Sequence, residues 1–110
     1  GEAEKSAIAK TIGIGAVKYA DLSQYRMTDY VFAWDKMLSF QGNTAPYLQN
    51  AYVRIRSIFR KAGEAPAAID RLTLTDPAEI NLAKRVAQFA EVVPQVLNDF
   101  RPTLLANYLF

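Results

Sequence analysis

The chain has 110 residues, of which 51% are hydrophobic and 22% charged; this is one domain's worth of sequence and too apolar a composition for disorder. It holds no cysteine and no histidine, which excludes disulfides, thiolate metal sites and a cysteine nucleophile and removes the commonest general base and metal ligand. The net charge is only +2, yet residues 36–63 hold Lys36, Arg54, Arg56, Arg60 and Lys61 with no acid among them.

Such a cluster on a near-neutral chain fits a polyanionic partner, and its plainer alternative is a solvated helix side whose counter-charges lie on another element. No apolar stretch reaches the ~20 residues that span a bilayer, and the first ten residues lack the apolar core of a secretory signal. A cytoplasmic place without a membrane partner is expected. The chain opens on Gly1 and stops within the apolar run Leu104 to Phe110, so it is expected to be an excised piece of a longer chain.

The first predicted helix runs from about Ala3 to Leu22, with Ile8, Ile12, Ala16 and Tyr19 recurring at helical spacing. Gly13 and Gly15 cost it roughly 1 kcal/mol each against alanine, which predicts a tightly packed neighbour there. Lacking a preceding strand and a third glycine, the pair is not a dinucleotide-binding turn. From Asp21 to Ala45 the pattern is irregular and rich in aromatics, and the alternation Tyr30-Phe32-Trp34 reads as a short extended segment, a strand if it finds a partner. Asp35 to Leu38 reads as a single helical turn, and Gln41-Gly42-Asn43-Thr44 as a polar loop.

A second long helix is predicted over Pro46 to about Ala62, with Thr44 or Ala45 at its cap and Gly63 as its stop. On a helical wheel Leu48, Ala51, Tyr52, Ile55, Ile58 and Phe59 form an apolar arc of ~120°. Gln49, Asn50, Arg54, Arg56, Ser57, Arg60 and Lys61 occupy the rest. Residues 64–75 read as a connecting loop. Asp76-Pro77-Ala78-Glu79 carries the chemistry of a helix start for a segment ending near Phe89. A separate short helix over Glu91 to Asp99 would hold Pro94 in its first turn, and a last one would begin at Pro102. The expected fold is all-α, a bundle of about five helices open at its C-terminal end, with an irregular aromatic-rich segment near residues 23–45.

Two stretches carry a family resemblance. Gly13-Ile14-Gly15-Ala16-Val17-Lys18-Tyr19-Ala20-Asp21-Leu22-Ser23 is one, and Met37-Leu38-Ser39-Phe40-Gln41-Gly42-Asn43-Thr44-Ala45-Pro46-Tyr47-Leu48-Gln49, continuing through Ala51 to Arg54-Ile55, is the other. Together with Tyr30-Val31-Phe32 and Trp34-Asp35-Lys36 between them, they resemble the arginyl-tRNA synthetases, enzymes that attach arginine to its tRNA with ATP. The resemblance implies that residues 1–42 form the junction after the catalytic domain and residues 43–110 the first part of the helical anticodon-binding domain. The histidine-bearing ATP signature of that class is absent, and Lys36-Met37-Leu38-Ser39 lies elsewhere in the family pattern than the family's lysine-rich loop. No catalytic residue, metal ligand or cofactor site is therefore expected in this chain, whereas the parent enzyme would use ATP with magnesium.

The partners implied are tRNA(Arg) and the remaining domains of the parent. The candidate tRNA-binding residues are Gln41, Asn43, Gln49, Asn50, Arg54, Arg56, Arg60 and Lys61, because anticodon bases are read by stacking and edge hydrogen bonds while stems are held through phosphates. Where many members read Tyr-Leu-Gln-Tyr-Ala-His, this chain has Tyr47-Leu48-Gln49-Asn50-Ala51-Tyr52, so a stacking role does not carry over to Asn50. Tyr30, Phe32 and Trp34 read as packing. The alternative from another class is a non-catalytic helical module that docks a protein partner without RNA. Leu104, Leu105, Tyr108, Leu109 and Phe110 make the last segment apolar all round, which predicts self-association or fraying there.

Overall fold

The computed structural model describes residues 1–63 and 71–110. Five helices appear in it, α1 over Glu2–Ser23, α2 over Trp34–Met37, α3 over Ala45–Ala62, α4 over Pro77–Asp99 and α5 over Pro102–Leu109. There is no strand among the described residues. Most of the connecting loop expected over 64–75 lies outside the described residues, and 71–75 are irregular.

Helix starts follow local chemistry. The Thr44 hydroxyl oxygen accepts a hydrogen bond from the Tyr47 N–H (3.3 Å) and donates to the Ser39 carbonyl (2.6 Å), so one side chain caps α3 and closes the loop before it. Gly63, at φ +86°, ends α3 in the left-handed region that glycine enters without penalty. Before α4, Asp76 accepts from the Ala78 N–H (2.7 Å) while the Glu79 carboxylate accepts from the Asp76 N–H (3.2 Å), a reciprocal capping box.

Two elements depart from the sequence reading. Residues 77–99 form one helix rather than two, with Pro94 inside it. Proline removes the hydrogen bond to the Ala90 carbonyl, but Ala90 and Pro94 are both exposed, so water can satisfy that oxygen and the helix continues. The five-helix count stands because the single turn α2 takes the vacated place. The Tyr30-Phe32-Trp34 alternation forms no strand; Ala33 is extended (φ −147°, ψ 116°) and Trp34 opens α2. Its aromatics are exposed, with Phe32 set edge-to-face on Trp34 at 4.8 Å.

Helix α1 is the hub, in contact with α2, α3 and α5, and α5 also packs on α4. The buried centre among the described residues is small, and three of its five residues are alanines: Ala16, Met37, Ala45, Pro46 and Ala106. α1 and α3 run antiparallel, since Gly15 lies beside Ala45 and Gln49 while Ala7 and Ile8 face Val53 across an apolar groove of about 760 Å³. The rest of the apolar arc of α3 is not core. Tyr52, Ile55, Ile58 and Phe59 are exposed, as are Leu82, Val86 and Phe89 of α4.

The bundle is thus open. Its radius of gyration is 17.2 Å, against about 13 Å for a compact chain of this length. Its accessible surface is 9202 Å², against about 6,100 Å² for a compact monomer of this mass. The apolar last segment is better covered than its sequence suggests: α5 is helical to Leu109, Ala106 is buried, and Leu104, Leu105 and Tyr108 are half-buried. Leu109 and Phe110 remain exposed.

The two glycines of α1 turn out to be unlike. A Cβ on Gly15 would lie 2.7 Å from Gln49 Nε2, whereas one on Gly13 would meet nothing within 4 Å. Only Gly15 makes the close approach that both were expected to make. Gly13→Ala is expected to stabilise the chain by about 0.5–1 kcal/mol through helix propensity alone. Gly15→Ala forfeits that gain by displacing the Gln49 amide from the Thr11 carbonyl, 3.4 Å away. Denaturant unfolding of the two variants at low protein concentration checks the contrast. Equal gains in midpoint would mean that Gln49 moves aside freely.

Candidate nucleic-acid interface

The loop at residues 39–44 and the helix it feeds bring together most of the residues singled out from the sequence. Gly42 turns the loop at φ +79°, a conformation that side chains disfavour. The Ser39 hydroxyl accepts from the Gln41 N–H at 3.0 Å, and the Thr44 N–H donates to the Gly42 carbonyl at 3.0 Å. Gln41 and Asn43 are exposed on this loop.

On α3 the polar residues divide into two flanks by helical geometry, at ~100° per residue. Arg56 and Arg60, four apart, continue the side of Gln49. Asn50, Arg54 and Lys61 share the other flank with Ser57. All four basic side chains and Asn50 are exposed. Among the described residues the only ion pairs are those of the terminal amine with Glu4 and of Lys5 with Glu2. No carboxylate among the described residues forms an ion pair with the basic side chains of α3.

Two of the sequence candidates are engaged by α1, Gln49 half-buried and Asn43 exposed. Gln49 is half-buried in the α1–α3 seam, its amide nitrogen toward the Thr11 carbonyl and its Oε1 buried without a partner among the described residues. Asn43 is held by Tyr19, whose hydroxyl donates to Asn43 Oδ1 at 2.5 Å and lies 3.1 Å from the Ala106 carbonyl oxygen. Burial pushes the Tyr19 phenol above its ordinary pKa. Sequence reading placed Tyr19 on the apolar stripe without a partner; the available signal was that a phenol in a packed stripe needs an acceptor for its hydroxyl.

A second set of ties missed by the sequence joins residues 24–26 to the α4–α5 corner. The Arg26 guanidinium donates to the carbonyls of Asp99 (3.2 Å) and Phe100 (2.7 Å). Thr103 donates to the Gln24 carbonyl at 2.7 Å, and Arg101 stacks over the Tyr25 ring at 4.8 Å. Phe100 sits at φ 50° there, where α4 ends. Further along, the Tyr30 hydroxyl donates to Asp21, and that bond, with burial and the carboxylate charge, raises the phenol's pKa.

Comparison with known proteins places this geometry. Residues 48–110 match the DALR anticodon binding domain, and residues 2–34 match the catalytic domain of class I (R) tRNA synthetases. The arginine–tRNA ligase of Pseudoalteromonas translucida is 52% identical over 110 residues, covering 99% of this chain. The chain belongs to the arginyl-tRNA synthetase family. The Laribacter hongkongensis arginine–tRNA ligase is 54% identical over 109 residues. Among solved arginyl-tRNA synthetases, that of Thermus thermophilus superposes over 92% of the chain with a TM-score of 0.83 at 35% identity, covering 17% of that chain. The Plasmodium falciparum enzyme gives 0.85 over 93% of this chain at 36% identity, covering 19% of its own. The chain spans about a fifth of the length of the curated arginine–tRNA ligases it matches, 19% in each case cited. No described helix is long and apolar enough to cross a membrane.

Proposed function

We propose that this chain is the junction and first anticodon-binding part of an arginine–tRNA ligase, an enzyme that joins arginine to tRNA(Arg) with ATP and magnesium in the cytoplasm. Residues 1–42 are the junction and 43–110 the anticodon-side helices, a division supported by the two matched segments and by the turn at Gly42 between them. Catalysis belongs to other parts of the enzyme, since the histidine-bearing ATP signature that the resemblance implies is not in this chain, which holds no histidine. The observation that carries the reading is the exposed, acid-free basic surface of α3 inside the segment matched to an anticodon-binding domain.

Arg54, Arg56, Arg60 and Lys61 hold phosphates, while Gln41 and Asn50 offer amides to base edges. Asn43 and Gln49 serve the seam with α1. The exposed apolar faces of α3 and α4 pack against further helices of the full enzyme, and in the isolated chain they make it self-associate. That assignment replaces the alternative of a separate protein-docking module.

Nuclease protection of arginine-accepting tRNA by the isolated chain tests the reading. Protection is expected on the anticodon arm and not on the acceptor stem. Protection confined to the acceptor stem, or none at low salt, would overturn it.

A further inference from the structure

Tyr19 belongs to the segment matched to the catalytic domain, residues 2–34, and its hydroxyl lies close to two points outside that segment. One is Asn43, next to the Thr44 cap that starts α3; the other is the Ala106 carbonyl in the buried centre of α5. Loop and helix lie 24 and 87 residues away in sequence; the hydroxyl's single proton goes to Asn43 Oδ1, the nearer acceptor at 2.5 Å, at the place where the α3 loop and α5 both meet α1. The ties from Arg26, Thr103 and Arg101 gather at the α4–α5 corner, and the tie that reaches α3 itself, from the Gln49 amide to the Thr11 carbonyl, is longer at 3.4 Å.

We propose that Tyr19 is a positioning residue for aminoacylation, acting through its hydrogen bond to Asn43 to set the orientation of the anticodon-binding helices relative to the catalytic segment. The proposal rests on the anticodon-side reading above. A tRNA must satisfy both regions of the enzyme at once. A fixed angle between them means that docking at one end already aligns the other, and a loose angle leaves that alignment to chance in each encounter. Tyr19 touches no RNA in this scheme. Its loss therefore spares binding of an anticodon stem-loop, which engages one region, and penalises the whole tRNA, which engages both.

The test uses full-length enzyme carrying Tyr19→Phe, Asn43→Ala and the pair, with two substrates. For whole tRNA, kcat/KM is expected to fall about threefold to tenfold in either single variant, the range for one lost hydrogen bond. The double variant is expected to fall little further, because both changes remove the same link. Affinity for an isolated anticodon stem-loop RNA is expected to stay within about twofold of the parent in Tyr19→Phe. A merely structural role would weaken the stem-loop as much as the whole tRNA, and that result overturns the proposal; so does an unchanged kcat/KM, or full additivity of the two substitutions. The proposed function is judged apart from this: if Arg56→Ala with Arg60→Ala leaves stem-loop affinity unchanged, the anticodon-side reading itself is at fault.

Discussion

Replacing Arg56 and Arg60 together by alanine is expected to flatten the salt dependence of tRNA binding by about one to two units of log–log slope. The two residues lie four apart on one flank of α3, exposed and without a carboxylate partner among the described residues. Each phosphate they neutralise releases about 0.7 of a counterion from single-stranded RNA, and somewhat more from duplex. At low salt the loss of affinity should be about tenfold, shrinking as salt rises. The same replacement of Arg54 and Lys61, on the opposite flank, tells which side of the helix meets the backbone. An unchanged slope in the Arg56/Arg60 variant, measured by anisotropy from about 50 to 200 mM salt, would reduce that flank to a solvated helix side.

The second large effect concerns the apolar faces. The isolated chain is expected to associate with itself in a concentration-dependent way, because Tyr52, Ile55, Ile58 and Phe59 on α3 and Leu82, Val86 and Phe89 on α4 stand in water. Exposed apolar helix faces of this kind favour association. Burying each large side chain is worth about 1.5–3 kcal/mol, so Ile55→Glu with Ile58→Glu should weaken association at least about tenfold. Both positions are more than half exposed, Ile55 at 53% and Ile58 at 66%, so the substitutions leave the buried centre intact. Sedimentation over a concentration series gives the answer. A chain that stays monomeric throughout would mean that the open arrangement closes on itself in solution.

How far the sequence could be read depends on the range of the physics involved. Thr44, Gly63 and the Asp76-Pro77-Glu79 start are legible because each acts within four residues of its partner. The continuity of α4 through Pro94 was not, since it turns on whether water reaches the Ala90 carbonyl, a property of the folded surface. Period-two aromatics at 30–34 could announce an extended backbone but not a strand, which needs a partner elsewhere. The apolar arc of α3 was read correctly as apolar; that the other helices of this chain leave most of it uncovered is a matter of tertiary arrangement.

The candidate site shows the same division. The exposed cations of α3 were visible in the spacing of Arg54, Arg56, Arg60 and Lys61. Asn43 and Gln49 looked equally available, and only the approach of Tyr19 and Gly15 from α1 shows them engaged. Gly13 and Gly15 are two residues apart with the same local composition, yet one faces space and the other a side chain.

The seating of α1 has a mechanical consequence. Its 22 residues make a rod about 33 Å long. Ala16 is clasped near one end, whereas residues 1–11 are exposed along their whole length. A rod held in this way works as a pointer. A tilt of about 5° at the clasp swings Glu2, about 21 Å away along the axis, through nearly 2 Å. That sweep compares with the length of a hydrogen bond, so small angular errors in how α3 and α5 grip the rod are written large at its first turn.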